Sequence, residues 1–114
     1  MRKSLDSLIC SIRNSKFIVL DDSAVVSKMN GRGDFLIRSL NKSLNTFSQS
    51  KNPFFIMAES AQIDYGGHDN NIEYVFREIL DFDKGIDDAI KFVDQNKETL
   101  LISLPIMKLV DLFY

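Results

Sequence analysis

Residues 54–68, which read FFIMAESAQIDYGGH, join a short apolar run to a cluster of polar residues. The apolar run at 54–58 has the length and composition of a buried strand, and it stops abruptly at Glu59. A second carboxylate, Asp64, follows five residues later, and His68 follows four residues after that. Because ligands bind at the carboxyl ends of parallel strands, the polar cluster lies where a functional site is expected.

The pattern on either side of this stretch predicts alternating strands and helices. Apolar runs at 17–20 and 99–102 are predicted to be strands, and a helix is predicted from Asp34 to Phe47, with Asp34 as its N-cap. A longer helix is predicted at 71–93, because apolar residues recur there at helical spacing. The apolar stripe of that helix comprises Ile72, Val75, Phe76, Ile79, Phe82, Ile86, Ile90 and Val93. This order predicts an α/β fold with parallel neighbouring strands.

Composition limits the classes of function. The chain has 114 residues, of which 45% are hydrophobic and 26% charged, and its net charge is -2. This balance is typical of a small globular domain and gives no indication of a nucleic-acid partner. No run approaches the roughly 20 apolar residues of a membrane span. The N-terminal sequence has no apolar core of export-signal length, and the lone Cys10 cannot form an internal disulfide.

Glu59, Asp64 and His68 are the residues that could carry chemistry. Oxygen and nitrogen ligands in this mixture suit zinc, or magnesium at a site made only of oxygens. Gly66 and Gly67 are predicted to let the backbone turn tightly, so that Asp64 and His68 point at one ion.

The same segment has a second interpretation that needs no metal. It would then be a polar loop leading into the long helix, with Asp69 or Asn70 as the helix cap. The spacing of the three residues does not by itself decide between the two interpretations, because matches this short often arise by chance.

The amino-acid sequence of this segment is similar to that of a known family. Residues 54–68 resemble the signature of bacterial alkaline phosphatases, which reads close to FFLMVEGSQIDWGGHAND. The resemblance continues through EILDFDK at 78–84 and upstream to GRGDFL at 31–36, and in all it covers residues 17–102. It implies a three-layer α/β/α sandwich with a mostly parallel central sheet.

The resemblance also implies roles for the polar residues. Members of the family hydrolyse phosphate monoesters through a phosphoserine intermediate, with two zinc ions and one magnesium ion. Glu59 matches the magnesium ligand, and Asp64 and His68 match ligands of one catalytic zinc ion. The nucleophilic serine, the phosphate-binding arginine and a further metal-binding aspartate match no residue here, and Ser60 is predicted to be structural. We therefore expect the isolated chain to be inactive. For the complete enzyme the family implies a homodimer and a periplasmic or secreted location.

The C-terminal tail departs from the family pattern. After Ile102 the family continues with a sequence close to VTADHETGG, whose Asp-His pair binds the second zinc, whereas residues 103–111 read SLPIMKLVD. The bases ACT GCC GAT CAT GAA ACT GGT GGA encode TADHETGG, and read one base later they encode LPIMKLV, the sequence of residues 104–110. A frameshift or a sequencing error after Ile102 explains this match. The alternative is a genuine apolar terminal helix or strand, which would need a partner surface.

Three interpretations follow from this division of the chain. Residues 1–16 are unassigned, 17–102 are part of an alkaline phosphatase-like catalytic domain, and 103–114 are an out-of-frame tail. The chain is then a fragment of a phosphatase, a non-catalytic module with a partial metal site, or an inert remnant of a disrupted gene.

Overall fold

The computed structural model describes residues 21–105. A short 3-10 helix spans Asp22–Val25, and three α-helices follow: α1 (Phe35–Ser48), α2 (Gln62–His68) and α3 (Ile72–Gln95). Helix α3 packs against both α1 and α2, so it is the element that joins them.

The two predicted helices are confirmed. Helix α1 begins one residue after Asp34, and α3 ends at Gln95, two residues beyond the predicted end. Asp34 is at the N-cap position of α1, but its carboxylate accepts no capping hydrogen bond. It binds Lys28 Nζ instead, at 2.9 Å, because the ammonium group lies within reach of it across the preceding loop.

Helix α3 is capped at a position that the sequence analysis did not select. The carboxamide oxygen of Asn71 accepts a hydrogen bond from the backbone N–H of Tyr74, at 3.0 Å. The cap that the metal-free interpretation placed at Asp69 or Asn70 is therefore wrong. Asn70 instead has a φ of +49°, and this left-handed conformation allows the chain to turn between α2 and α3.

The predicted strands are not found in the part of the chain that the structure describes. Residues 54–58 and 99–102 have no regular secondary structure, and the run at 17–20 lies outside the described residues. A strand needs a neighbour to share its backbone hydrogen bonds, and neither run has one within residues 21–105. The α/β/α sandwich is therefore not confirmed, since the described residues are helical. Segment 1–16 and the tail from residue 106 also lie outside the description.

Half of the apolar stripe of α3 is exposed. Ile72, Phe76, Ile79 and Ile90 are 47–72% exposed, although their helical spacing predicts a buried face. The face that α3 turns toward the rest of the described chain carries Glu78, Asp81, Gly85 and Ala89 instead. The other members of the stripe, Val75, Phe82, Ile86 and Val93, are half-buried, so the stripe is only partly covered by the described residues.

The interior contact of α3 is a set of four charged residues, here called the buried ion cluster: Lys28, Arg32, Glu78 and Asp81. Arg32 Nη2 donates to Glu78 Oε2 at 2.5 Å and to Asp81 Oδ2 at 2.8 Å. Lys28 donates from its backbone N–H to Glu78 Oε1 at 2.6 Å and from Nζ to Asp81 Oδ1 at 2.6 Å. All four carboxylate oxygens therefore have a donor, which two buried carboxylates require.

The buried ion cluster ties the loop before α1 to α3. Burial alone would lower the pKa of Lys28, but hydrogen bonds to Asp81 and Asp34 outweigh it and raise the pKa above its usual value. Burial would also lower the pKa of Arg32, but the carboxylates of Glu78 and Asp81 outweigh this effect and raise the pKa above its usual value. Both side chains are therefore charged at neutral pH.

Candidate metal site

Helix α2 carries the polar residues that the sequence analysis singled out. Its inner face is formed by Gln62 and Gly66, four residues apart, and both are buried. Asp64 and His68 are offset from that inner face by about half a turn, so they lie on the outer side of the helix. Their side chains are 56% and 64% exposed, which leaves both open to a ligand from solvent.

Asp64 and His68 are brought together by the helix. His68 Nε2 lies 3.3 Å from Asp64 Oδ2, as expected for residues four positions apart on one helix face. Two ligand atoms at the usual zinc distances and a tetrahedral angle are about 3.3 Å apart, so this pair fits two positions of a zinc site. The prediction that Gly66 and Gly67 form a tight turn between them is wrong, because both glycines are within α2.

Glu59 lies apart from this pair. It precedes α2 in an irregular segment, is exposed, and lines a shallow groove together with Arg32, Phe35 and Gln62. Within residues 21–105, no three His, Cys, Asp or Glu residues come close enough together to hold one ion. The described residues therefore bring the Asp64 and His68 side chains together at one point and leave Glu59 as a separate carboxylate.

Tyr74 and Gly66 hold α2 against α3. The Tyr74 hydroxyl is hydrogen-bonded to Gln62 Oε1. Burial raises the pKa of Tyr74 above its usual value, and the Glu78 carboxylate raises it further. Gly66 lies so close to the Tyr74 ring that a Cβ atom would meet Tyr74 Cγ at 3.0 Å.

Several residues that shape the site were missed by sequence reasoning. Gln62 and Tyr74 were not singled out, and Glu78 and Asp81 were noticed only as part of a family-like helix. A signal was present, because two acidic residues at a three-residue spacing lie on one side of a helix and need basic partners when that side is buried. Arg32 supplies the charge from a loop 46 and 49 residues earlier, a distance that helical periodicity cannot reveal.

Comparison with known proteins places the helices and the candidate site in one family. The family model described as alkaline phosphatase matches residues 22–105, which is most of the chain and includes Glu59, Asp64 and His68. The chain belongs to the alkaline phosphatase family. The family is associated with an α/β fold, and its members in general use metal ions.

Individual alkaline phosphatases show the same relationship. The chain is 36% identical over 63 residues to alkaline phosphatase 3 of Bacillus subtilis (strain 168), and 37% identical over 60 residues to alkaline phosphatase 4 of the same organism. It is 36% identical over 66 residues to the repressible alkaline phosphatase of Saccharomyces cerevisiae. These matches cover 53–57% of this chain.

The matches cover a much smaller share of the related enzymes. The chain spans 14%, 13% and 12% of the length of these three alkaline phosphatases. No solved structure matches the chain significantly. Among residues 21–105, none of the helices has the length and hydropathy needed to cross a bilayer.

Proposed function

We propose that this chain is a part of a metal-dependent alkaline phosphatase that hydrolyses phosphate monoesters through a phosphoserine intermediate. Asp64 and His68 are two ligands of a catalytic zinc ion, and Glu59 is a magnesium ligand. The observation that carries the proposal is the 3.3 Å separation of Asp64 Oδ2 and His68 Nε2 inside the segment that the family model matches.

The donor set supports the choice of metals. A carboxylate oxygen and an imidazole nitrogen are common zinc ligands, whereas a carboxylate alone suits a hard ion such as magnesium. When bound, zinc would stabilise negative charge on phosphate oxygens and activate an oxygen nucleophile. The task of Asp64 and His68 is to hold that ion on the exposed side of α2, within reach of a substrate.

We propose further that the isolated chain has no phosphatase activity. A catalytic zinc has three protein ligands, and Asp64 and His68 supply two. Ser60, beside Glu59, is not a suitable nucleophile, because its Oγ is buried and makes no hydrogen bond within residues 21–105. A phosphate ester cannot reach that atom without displacing the residues around it.

Zinc titration of the full chain tests the proposed site. His68 is the single histidine among the 114 residues, so its ring signals in an NMR spectrum are unambiguous. We expect these signals to shift saturably with zinc, and Asp64→Asn to weaken the response at least about tenfold. Asp69→Asn, which removes an exposed carboxylate from the adjacent position, should leave the response unchanged.

Two results would contradict the proposal. An equal effect of Asp64→Asn and Asp69→Asn would show that zinc responds to general negative charge and not to the pair. Hydrolysis of a chromogenic phosphate monoester by the isolated chain, abolished by a chelator, would contradict the proposed inactivity.

A second candidate is a non-catalytic remnant of a disrupted gene, with or without partial metal binding. It is favoured by the small apolar interior, since Leu44 and Ala89 are the buried hydrophobic residues within 21–105. In this interpretation, residues 103–114 are translated out of frame. Sequencing the gene across the codons for Leu100 to Asp111 tests whether the tail is out of frame. If the base missing after Ile102 is found, the corrected reading frame encodes TADHETGG.

The remaining family expectations are proposals as well. We propose that the complete enzyme takes a phosphate monoester as substrate, forms a homodimer, and is periplasmic or secreted. They rest on the membership of residues 22–105 in the family. Expression of the complete gene followed by cell fractionation and size measurement would test the location and the dimer.

A further inference from the structure

The position of α2 depends on contacts with one residue of α3. Tyr74 is in the first turn of α3, where its backbone N–H is held by the Asn71 cap at 3.0 Å. Its ring lies beneath Gly66 and its hydroxyl is bound to Gln62, so it contacts the inner face of α2 at two points one helical turn apart. Two such points define the orientation of a short helix, whereas one would leave it free to rotate.

The outer face of α2 follows from this inner contact. Gln62 is 6% exposed, while the side chains of the outward-facing Asp64 and His68 are more than half exposed. A helix of 7 residues is too short to be stable by itself. The alignment of Asp64 with His68 therefore depends on the contacts beneath the helix.

The Tyr74 hydroxyl also lies near the loop before α1, because the neighbouring Ser27 side chain influences its pKa. Ser27 is 3% exposed, and its Oγ accepts a hydrogen bond from the backbone N–H of Asn30 at 3.1 Å. Ser27 is next to Lys28, a member of the buried ion cluster. The hydroxyl that contacts α2 therefore lies close to the most extensively hydrogen-bonded part of the described chain.

From these contacts we infer that Tyr74 is a positioning residue for the Asp64–His68 pair, acting through its hydrogen bond to Gln62. The inference rests on the proposed metal-binding role of that pair. The hydroxyl holds α2 in the rotation that keeps both ligand atoms together on the outer side, ready to bind one ion. Tyr74 itself contacts neither the ion nor a substrate.

The experiment compares variants of the full chain that remove one end of the hydrogen bond. Tyr74→Phe keeps the ring beneath Gly66 and removes the hydroxyl, and Gln62→Met keeps the side-chain length and removes the acceptor. Tyr65→Phe is the matched control, because Tyr65 is also near the site but is 58% exposed. Each variant is titrated with zinc alone and followed by the ring signals of His68.

We expect Tyr74→Phe and Gln62→Met to weaken the zinc response by about threefold to tenfold, below the usual effect of losing a direct partner of a ligand. The zinc response of the double variant should be no weaker than that of either single variant, because both substitutions remove the same hydrogen bond. Tyr65→Phe should match the unaltered chain. Equal zinc responses in all variants, or additive losses in the double variant, would overturn the inference.

A readout without metal separates this inference from the proposed function. Nuclear Overhauser contacts between the His68 ring and the Asp64 side chain should be present in the unaltered chain and weaker in both single variants, with helical circular dichroism retained. If the unaltered chain shows these contacts but no zinc response, the metal site is refuted. If the contacts persist unchanged in the variants, the role of Tyr74 is refuted. If Tyr74→Phe loses its helical circular dichroism, the result for Gln62→Met decides whether the hydrogen bond positions the Asp64–His68 pair.

Discussion

Gly66 of α2 and Tyr74 of α3 lie so close that no side chain can be placed between them. A Cβ atom at Gly66 would be 3.0 Å from Tyr74 Cγ and 3.0 Å from the backbone nitrogen of Val75. The aromatic ring is held in place by its hydroxyl and the nitrogen is part of a helix, so neither can move aside easily. The glycine is therefore required for the contact between the two helices and not for a turn.

Gly66→Ala should accordingly destabilise the chain, by about 1–3 kcal/mol, the usual effect of adding a methyl group to a closely packed contact. Urea denaturation followed by circular dichroism measures this change. Gly85→Ala is the control, because the added Cβ would meet only Leu40 Cδ2, at 3.7 Å. That variant should gain up to about 1 kcal/mol from the better helix propensity of alanine. Equal midpoints for the two variants would contradict the close packing at Gly66.

Arg32 is predicted to be the most important single side chain for stability. Arg32→Met leaves one oxygen each of Glu78 and Asp81 buried without its donor, and breaking a buried ion pair in this way costs about 3–5 kcal/mol. Because that is a large share of the stability of a small domain, the variant should lose much of its helical signal in the absence of denaturant.

The surface pair of Arg77 and Glu73 provides the comparison for Arg32. Arg77 Nη2 lies 2.7 Å from Glu73 Oε1, a distance similar to those in the buried ion cluster, but the two side chains are 52% and 59% exposed. Arg77→Met should therefore change the free energy of unfolding by less than about 1 kcal/mol. Similar losses for both arginine variants would show that burial of the cluster contributes little.

Alkaline pH should destabilise the chain through Lys28 and Tyr74. Both groups have a raised pKa in the folded state, so folding favours the protonated form of each. Their contribution to stability is complete below the ordinary values of 10.5 for lysine and 10.0 for tyrosine, and it decreases as the pH rises from there toward the folded pKa. Urea midpoints measured on either side of pH 10 should therefore fall with increasing pH, and less so in Tyr74→Phe.

The Asn71 cap offers a test of the start of α3. Asn71→Ala removes the oxygen that accepts from the Tyr74 N–H, and loss of such a cap costs about 0.5–2 kcal/mol. Asn70→Ala, one position earlier, should also destabilise the chain, because Asn70 has a φ of +49° that alanine adopts with difficulty. Asn70→Gly separates the two effects, since glycine retains that conformation and should keep the stability.

The sequence was sufficient to predict both long helices and the polar cluster at 59–68, because periodicity and a family-like motif are local signals. It did not predict that Asp64 and His68 share a helix, since the two glycines between them indicate a turn when their surroundings are unknown. The packing of Gly66 on Tyr74 supplies the missing information, as a helix containing glycine becomes favourable when it permits a close contact.

The strands and the buried face of α3 could not be predicted correctly from the sequence, for a different reason. The apolar runs at 54–58 and 99–102 have strand-like composition, but a strand requires a neighbour that residues 21–105 do not include. The basic partners of Glu78 and Asp81 could not be predicted either, because Lys28 and Arg32 lie in a loop whose composition predicts only a turn. A single sequence does not show which distant residues pair in the folded chain.

The buried ion cluster also has a consequence for the order in which the chain acquires its structure. Its hydrogen bonds join residues separated by 46 to 53 positions, so they cannot all form until the first half of α3, as far as Asp81, has left the ribosome. Until then Lys28 and Arg32 have no carboxylate from α3, and the loop that carries them is not anchored. Helix α1 can form early from local contacts, but its docking must wait for loop closure over about half the chain, a step that is slow because of its entropy. Folding of this segment during synthesis is therefore expected to be late and cooperative, with α3 as the last element needed.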